Sequence, residues 1–310
     1  MRMKFGAALV VGCMFTAVSS VHAADLPARK APPIDAAPAP LSWNGLYVGL
    51  NAGGTWSASN RVTVLGTDLY DDPFWAGGSA AALSATGTIP TSGTSGFLGG
   101  GQIGYNLQFY SHFLAGIEAD FQGVASGSGG GQALGLATNP LFVGFVNPVF
   151  ATATHAQMGL DYLGTVRGRL GYLATPSLLV YASGGFAYGG ATLSAQQFTF
   201  DGSGLINPGF GGTSYSNTRF GWTVGAGVEW MFAPNWSVKA EYLYYDLGGA
   251  NTTFGPVVGT NIALFTPTPV GGPIWAYATS VSSRFDGHIV RAGVNYHFNF
   301  GAASPIVAKF

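Results

Sequence analysis

Chemistry needs ionisable or nucleophilic side chains in company, and this sequence offers few. Its five histidines are the natural general bases. His22 lies close to the N-terminus, His112 at a tight turn and His155 in a loop-like segment. His288 has the outward parity at a strand start, and His297 sits near a strand end. A serine nucleophile needs a histidine within hydrogen-bond reach and an acid to orient it. None of the histidines has a serine two residues on, and none shares an outer face with a serine and an acid. The single cysteine is Cys13, so a thiol nucleophile or a Cys-ligated metal has no basis. No metal-ligand spacing and no phosphate-binding glycine loop appears. The sequence therefore predicts no enzyme, no cofactor and no metal site.

The charged residues are more informative. They make up 8% of the chain, against about 25% in an average soluble domain. Ten of them fall on one parity of alternating segments. The acids are Glu118, Asp120, Asp161, Glu229 and Glu241; the bases are Arg167, Arg169, Arg219, Lys239 and Arg291. Inside a narrow closed sheet, five acids and five bases should pair, because an unpaired buried charge costs several kcal/mol. The chemistry implied is a polar plug. If one pair stands aside, the same set makes a narrow, selective pore for small solutes.

The elements that position these charges follow from the rest of the composition. Apolar residues are 47%, aromatics 14%, and glycine contributes 49 residues. So little charge argues against a soluble globular enzyme, and so many apolar residues argue against disorder. After the N-terminus no run approaches the roughly 20 apolar residues of a spanning helix. A transmembrane β-barrel remains, whose signal is alternation.

Eight alternating segments are predicted, at about 45–54, 97–109, 113–122, 159–172, 178–190, 220–232, 236–245 and 287–298. The clearest sets Phe220, Trp222, Val224, Ala226, Val228, Trp230 and Phe232 against Arg219, Thr223, Glu229 and the intervening glycines. Connections after the second, fourth and sixth segments are only a few residues long, while the others run to roughly 25–40 residues, the pattern of periplasmic turns against extracellular loops. The stretch 57–95, rich in small residues, is expected to be a mobile external loop. Aromatics recur at the spacing of two membrane interfaces. Trp222 and Trp230, Phe113 and Phe121, and Trp236 and Tyr244 are each eight residues apart, a climb of about 20 Å on a tilted strand. With Tyr296 and Phe298 they form the expected girdles. The many glycines read as strand positions where curvature leaves no room for a side chain.

The chain ends set location. Arg2 and Lys4, an apolar run to Val18, and small residues before Ala23 and Ala24 make a cleaved secretory signal at 1–23. A lipobox ending at Cys13 is the rival reading, with too short an apolar core. Losing the signal leaves ten bases against thirteen acids, a net charge of −3, with no basic patch for nucleic acid. Residues 24–42 are expected to form a Pro/Ala-rich periplasmic linker, with peptidoglycan binding through Arg29 and Lys30 as the alternative reading. The barrel is assigned to 43–300 and a C-terminal tail to 301–310, the closing strand ending near Phe298 or Phe300. Pro305 cannot donate to a ladder, so the strand does not run to Phe310.

Seven stretches together resemble a known pattern. They are WNGLYVG at 43–49, GYN at 104–106, GIEADF at 116–121, TVRGRLG at 165–171, GWTVGAGVEW at 221–230, KAEYLYYD at 239–246 and VRAGVNYHF at 290–298. The combination resembles the alpha-proteobacterial outer-membrane immunogenic protein family, the RopB-like eight-stranded barrels grouped with porins. The resemblance implies an OmpA-like barrel in the Gram-negative outer membrane whose loops are surface antigens. It also implies, for some relatives, haem binding or weak pore formation. The expectation is thus an all-β, eight-stranded, antiparallel up-and-down transmembrane β-barrel with long extracellular loops. Its role is structural and antigenic, with a charge-plugged lumen; a porin-like channel is the alternative and a loop-based haem binder or adhesin the third. Its expected partners are outer-membrane lipid, lipopolysaccharide and the barrel assembly machinery, with the last strand's outward Val290, Ala292, Val294, Tyr296 and Phe298 as the assembly signal.

Overall fold

The computed structural model of the protein describes residues 41–72, 77–126, 129–139, 149–262 and 269–298. The expected cleavage site at Ala23–Ala24, nearly all of the linker and the C-terminal tail lie outside these residues. The described strands are β1 (Gly45–Ser57), β2 (Arg61–Asp71), β3 (Gly87–Pro90), β4 (Ser95–Phe109), β5 (Phe113–Ser126), β6 (Gly129–Thr138), β7 (Val149–Thr175), β8 (Leu178–Asp201), β9 (Ile206–Asn207), β10 (Gly209–Ala233), β11 (Trp236–Asn261) and β12 (Pro273–His297). One short helix, α1 (Gly78–Ser84), lies between β2 and β3.

Eight strands close a ring. The order is β1, β4, β5, β7, β8, β10, β11, β12 and back to β1, with every neighbour antiparallel. The alternation selects the register. On β10, Trp222, Val224, Val228, Trp230 and Phe232 point outward and exposed, while Thr223, Glu229 and Met231 are buried in the lumen. A slip of one residue would exchange the two sets. Short turns join β4 to β5, β7 to β8 and β10 to β11. At the first of these, Tyr110 and Ser111 take consecutive left-handed conformations, with φ of 48° and 62°, the twist that a tight hairpin needs.

At the opposite end the structure corrects the sequence reading. The segments expected at 159–172, 178–190, 220–232, 236–245 and 287–298 are strands of 24 to 27 residues. Such lengths reach about 80–90 Å, far more than a membrane requires. Much of what reads as loop is therefore sheet, and His155 lies on β7 rather than in a loop. The stretch 57–95 is likewise not a free loop. It carries β2, paired with β12 from Val62↔Ser283 to Asp71↔Trp275, then α1 and β3. Period-2 alternation marks a strand between lipid and lumen; beyond the membrane the outer face meets water, and small polar residues pair without that signature.

In this extension the backbone ladder between β10 and β11 ends, although their side chains stay in contact, as Thr213 Oγ1 and Thr252 Oγ1 do at 3.3 Å. Their ladder runs from Ala233↔Trp236 to Trp222↔Asp246 and stops. Beyond it β10 stays on β8 as far as Gly209, and β11 stays on β12 as far as Thr260. Apolar side chains from both groups of strands fill the interior, among them Val62, Leu160, Leu193, Leu247, Val281 and Phe285. Further out, Phe150, Val257, Trp275 and Tyr277 surround the alanines of α1. The helix fits because β2 and β6 offer glycines beneath it. A Cβ on Gly66 would come within 2.2 Å of the Ala82 carbonyl oxygen, and one on Gly135 within 1.9 Å of that of Ser84. Ser79 Oγ donates to Asp68 Oδ2 at 2.7 Å, and the Gly78 amide donates to the Asp71 carboxylate. Burial raises the Asp71 carboxyl, and nearby Asp68 adds to the effect.

Candidate functional site

Eight of the ten expected lumen charges meet at one level of the barrel. Glu118 and Asp120 come from β5, Arg167 and Arg169 from β7, Glu229 from β10, Lys239 and Glu241 from β11, and Arg291 from β12; all are buried. Inward parity brings them there: each acid or base lies two residues from the next on its strand, or opposite one across a ladder, as Glu118↔Arg167, Glu229↔Lys239 and Glu241↔Arg291 do.

Arg167 is the hub. Its Nη2 lies 2.5 Å from Glu118 and 3.0 Å from Asp120, and its Nη1 lies 2.6 Å from Glu241. Arg291 bridges Asp120 at 2.8 Å and Glu241 at 2.7 Å. Lys239 meets Glu118 at 2.8 Å, and Arg169 meets Glu229 at 2.6 Å. Four acids thus face four bases, with every side chain at 0% exposure. Charge-assisted, forked bonds of this kind offset the desolvation that burial imposes.

Two expected members lie elsewhere. Asp161 is exposed, because the register jumps between Leu160 and Tyr162. The extra residue of this bulge turns two successive side chains outward, which strict alternation does not anticipate. Arg219 is half-buried outside the cluster and donates from Nη2 to the Gly249 carbonyl. It stands ten residues from Glu229 along β10, about 33 Å up the strand, so its parity leads to a level well beyond the charged layer.

Several members of the network were not singled out from sequence. Tyr47 donates to Glu118 at 2.6 Å and receives a bond from Arg169 at 2.5 Å. Tyr181 lies 4.0 Å below the Arg169 guanidinium and donates to Glu241 at 3.3 Å, a cation–π contact. Asn295 and Ser237 donate to Glu229 at 2.7 and 2.6 Å. The signal for Tyr47 was present, since it stands between outward Leu46 and Val48.

Ser237, His297 and Glu229 also make a serine–histidine–acid grouping, on the inner face of the barrel and not on an outer one. His297 Nε2 lies 2.9 Å from Ser237 Oγ and 3.4 Å from Glu229. One ring nitrogen meets both partners, and all three residues are buried. A nucleophilic triad needs the two nitrogens to serve separate partners and the serine to reach a substrate. Here Ser237 instead donates to Glu229, so the grouping extends the ion-pair network.

Apolar layers bound the charges on both sides. Along β7 the inward residues run Leu173, Arg169, Arg167, Thr165, Leu163; along β12 they run His297, Asn295, Arg291, Ile289, Phe285. Towards the short turns, Trp43, Leu114, Leu173, Leu179, Tyr181 and Met231 cluster. Trp43 Nε1 donates to the Pro176 carbonyl at 3.0 Å, and the Trp43 ring stands edge-on to His297. Towards the extension, Leu98, Leu163, Leu243 and Ile289 begin the larger apolar core.

The expected girdle residues face outward from the ring. Phe113, Phe121, Trp222, Trp230 and Trp236 are about half exposed, and Tyr244, Tyr296 and Phe298 are partly so. They meet in two tiers. Trp222 touches Tyr244 at 5.5 Å in one, while Trp236 meets Tyr296 at 5.1 Å and Phe113 meets Tyr172 at 5.5 Å in the other. His288 joins the first tier, stacked on Trp56 and Tyr242.

A closed ring with an apolar outer band and a charged interior matches a family. The model of the outer membrane protein beta-barrel domain matches residues 13–298. The chain belongs to that family. It is 32% identical to the 31 kDa outer-membrane immunogenic protein of Brucella melitensis over 290 residues, covering 93% of this chain and 97% of that one. Over 83 residues it is 37% identical to a 22 kDa outer membrane protein of Rhizobium leguminosarum, covering 27% of this chain and 32% of that protein. Among solved structures it resembles OprG from Pseudomonas aeruginosa at 10% identity and a TM-score of 0.33, covering 82% of this chain and 97% of that one. It is a protein of the Gram-negative outer membrane.

Proposed function

We propose that this outer-membrane protein is a structural barrel with a closed lumen, whose long strands carry a folded platform outside the cell. The observation behind this reading is the stack of layers: four acids on four bases, wholly buried, between two apolar clusters. A hydrated ion would have to displace paired charges and then enter a dry layer, each a cost of several kcal/mol. The short turns face the periplasm and the extension faces outward, where it supplies the antigenic surface suggested by the immunogenic name of the Brucella relative. The aromatic tiers mark the two lipid interfaces, with lipid and lipopolysaccharide against them. The outward alternation of β12 is what the assembly machinery reads. No catalytic role is assigned, because the buried Ser237 grouping cannot meet a substrate. Refolded protein in a planar bilayer tests the closed lumen: the expected trace stays at baseline, and reproducible unit steps of conductance would sink the reading in favour of a porin-like channel.

A further inference from the structure

Seven lysines and arginines occur among the described residues, and four of them lie in the lumen cluster. The other three, Arg61, Arg219 and Arg284, gather at one level, just beyond the tier of Trp56, Trp222, Tyr244 and His288. The ladders place them there. Arg284 on β12 pairs with Gly249 on β11, and the Gly249 carbonyl accepts from Arg219 Nη2 on β10. On the other side Ser283 pairs with Val62 on β2, and Ser283 Oγ donates to the Arg61 carbonyl at 3.0 Å.

Arg61 is exposed, and so is 58% of the Arg284 side chain. Both line an open groove of about 680 Å³ with Thr63, Gly249, Asn251 and Ser282. Arg284 and Ser282 share the parity of outward His288 and Val290 on β12, so the groove lies on the outer face. Arg61 makes no ion pair among the described residues. Arg284 pairs with Asp246, and its Nε lies 3.9 Å from Asp286. Both acids are buried towards the aromatic tier. They already accept from the Ser59 amide, the Tyr244 hydroxyl and the Gly248 amide at 2.9 to 3.1 Å. The acids thus steady Arg284, while three bases against two acids leave the locality net positive. Ser280 Oγ donates to Asn251 Oδ1 at 2.9 Å, which leaves the Asn251 amide nitrogen as a further donor.

We infer that this groove binds the phosphorylated sugar head group of a lipopolysaccharide molecule in the outer leaflet. Arginine forks match phosphate oxygens, and the amide and hydroxyl rim suits sugar hydroxyls. Position selects a lipid over a soluble anion. Arg284 stands four residues beyond His288, about 10 Å higher on a strand tilted near 40°. Below the tier the same sheet presents Val238, Val290 and Val294 outward. One ligand can therefore lay its acyl chains on that band and its phosphate in the groove. The inference rests on the outward orientation of the extension proposed above, and not on the closed lumen.

The probe is lipid A carrying both phosphates, added to refolded full-length protein in a zwitterionic detergent. Bound lipid is counted by native mass spectrometry. The native protein should hold one lipid A, and its dephosphorylated form about tenfold more weakly. Arg61→Ala and Arg284→Gln should each weaken binding about tenfold. Arg61→Lys, which keeps the charge, should retain more binding than Arg61→Ala. Asp161→Asn changes the net charge on β7, opposite β12 in the ring, and should leave binding unchanged. Heat-modifiable electrophoresis verifies that each variant is folded. Equal binding of the two lipids, or native affinity in the folded Arg61→Ala and Arg284→Gln proteins, would overturn the inference. Displacement of the lipid by an equimolar amount of inorganic phosphate would assign the groove to a soluble anion and overturn it too. Orientation is tested separately by Ser203→Cys, probed on intact cells with a membrane-impermeant maleimide. Labelling is expected; its absence would sink the orientation and the inference with it, whereas labelled cells whose protein holds no lipid A would sink the inference alone.

Discussion

Arg167 is the residue on which the interior depends, because three carboxylates converge on its one guanidinium. Removing it leaves three carboxylates, Glu118, Asp120 and Glu241, to be balanced by Arg291, Lys239 and the one contact of Arg169 with Glu118. Arg167→Ala should therefore destabilise the barrel by about 3–5 kcal/mol, read as a lower urea midpoint of refolded protein in detergent. A midpoint within error of the native one would mean that the cluster is loosely held or hydrated. On the outside, Tyr296 sits between Trp236 and Phe298 in the tier assigned to the periplasmic interface. Tyr296→Asp puts a charge on the lipid face, and the expected result is loss of membrane insertion in cells, seen as protein absent from the outer-membrane fraction.

Among the elements, α1 shows how a segment without strong patterning becomes ordered. Its sequence, GSAAALS, has no stabilising side-chain cap, and a helix of two turns is marginal by itself. It persists because its alanines enter a slot between β2 and β6 that only glycine permits. Gly66→Val and Gly135→Val should dislodge it. Limited proteolysis should then cut within 77–90, which stays intact in the native protein, while heat-modifiable migration shows the ring unharmed. Resistance to protease in both variants would mean that the helix is held otherwise.

The whole molecule divides into a short membrane ring and a taller sheet structure above it. The ring alone carries the alternation, the aromatic tiers and the charge cluster, so it should form without the C-terminal tail. Phe298 N already donates to Leu46 at 2.8 Å, which closes the last strand on the first. Deleting residues 302–310 should leave a barrel whose unboiled and boiled forms migrate differently in detergent electrophoresis. A truncated protein that runs at one position in both samples would place the assembly signal in the tail instead of at Phe298.

What the sequence by itself determined was the part under two constraints at once. Lipid outside and a narrow lumen inside force strict alternation, so the eight strands, the outward aromatics and eight of the ten lumen charges, from Glu118 to Arg291, were legible residue by residue. Asp161 escaped because a bulge breaks parity without leaving a mark in local composition, and Arg219 because parity gives the face of a strand and not the level at which charges gather. The extension escaped for a related reason. Away from lipid a strand needs only backbone partners and one apolar face, and Gly-, Ser- and Thr-rich segments meet that need while looking like loops. Which segments pair there, where α1 seats and where the ladder between β10 and β11 ends are set by contacts between residues far apart in the chain. Those contacts exist only once the ring below has fixed the strands side by side.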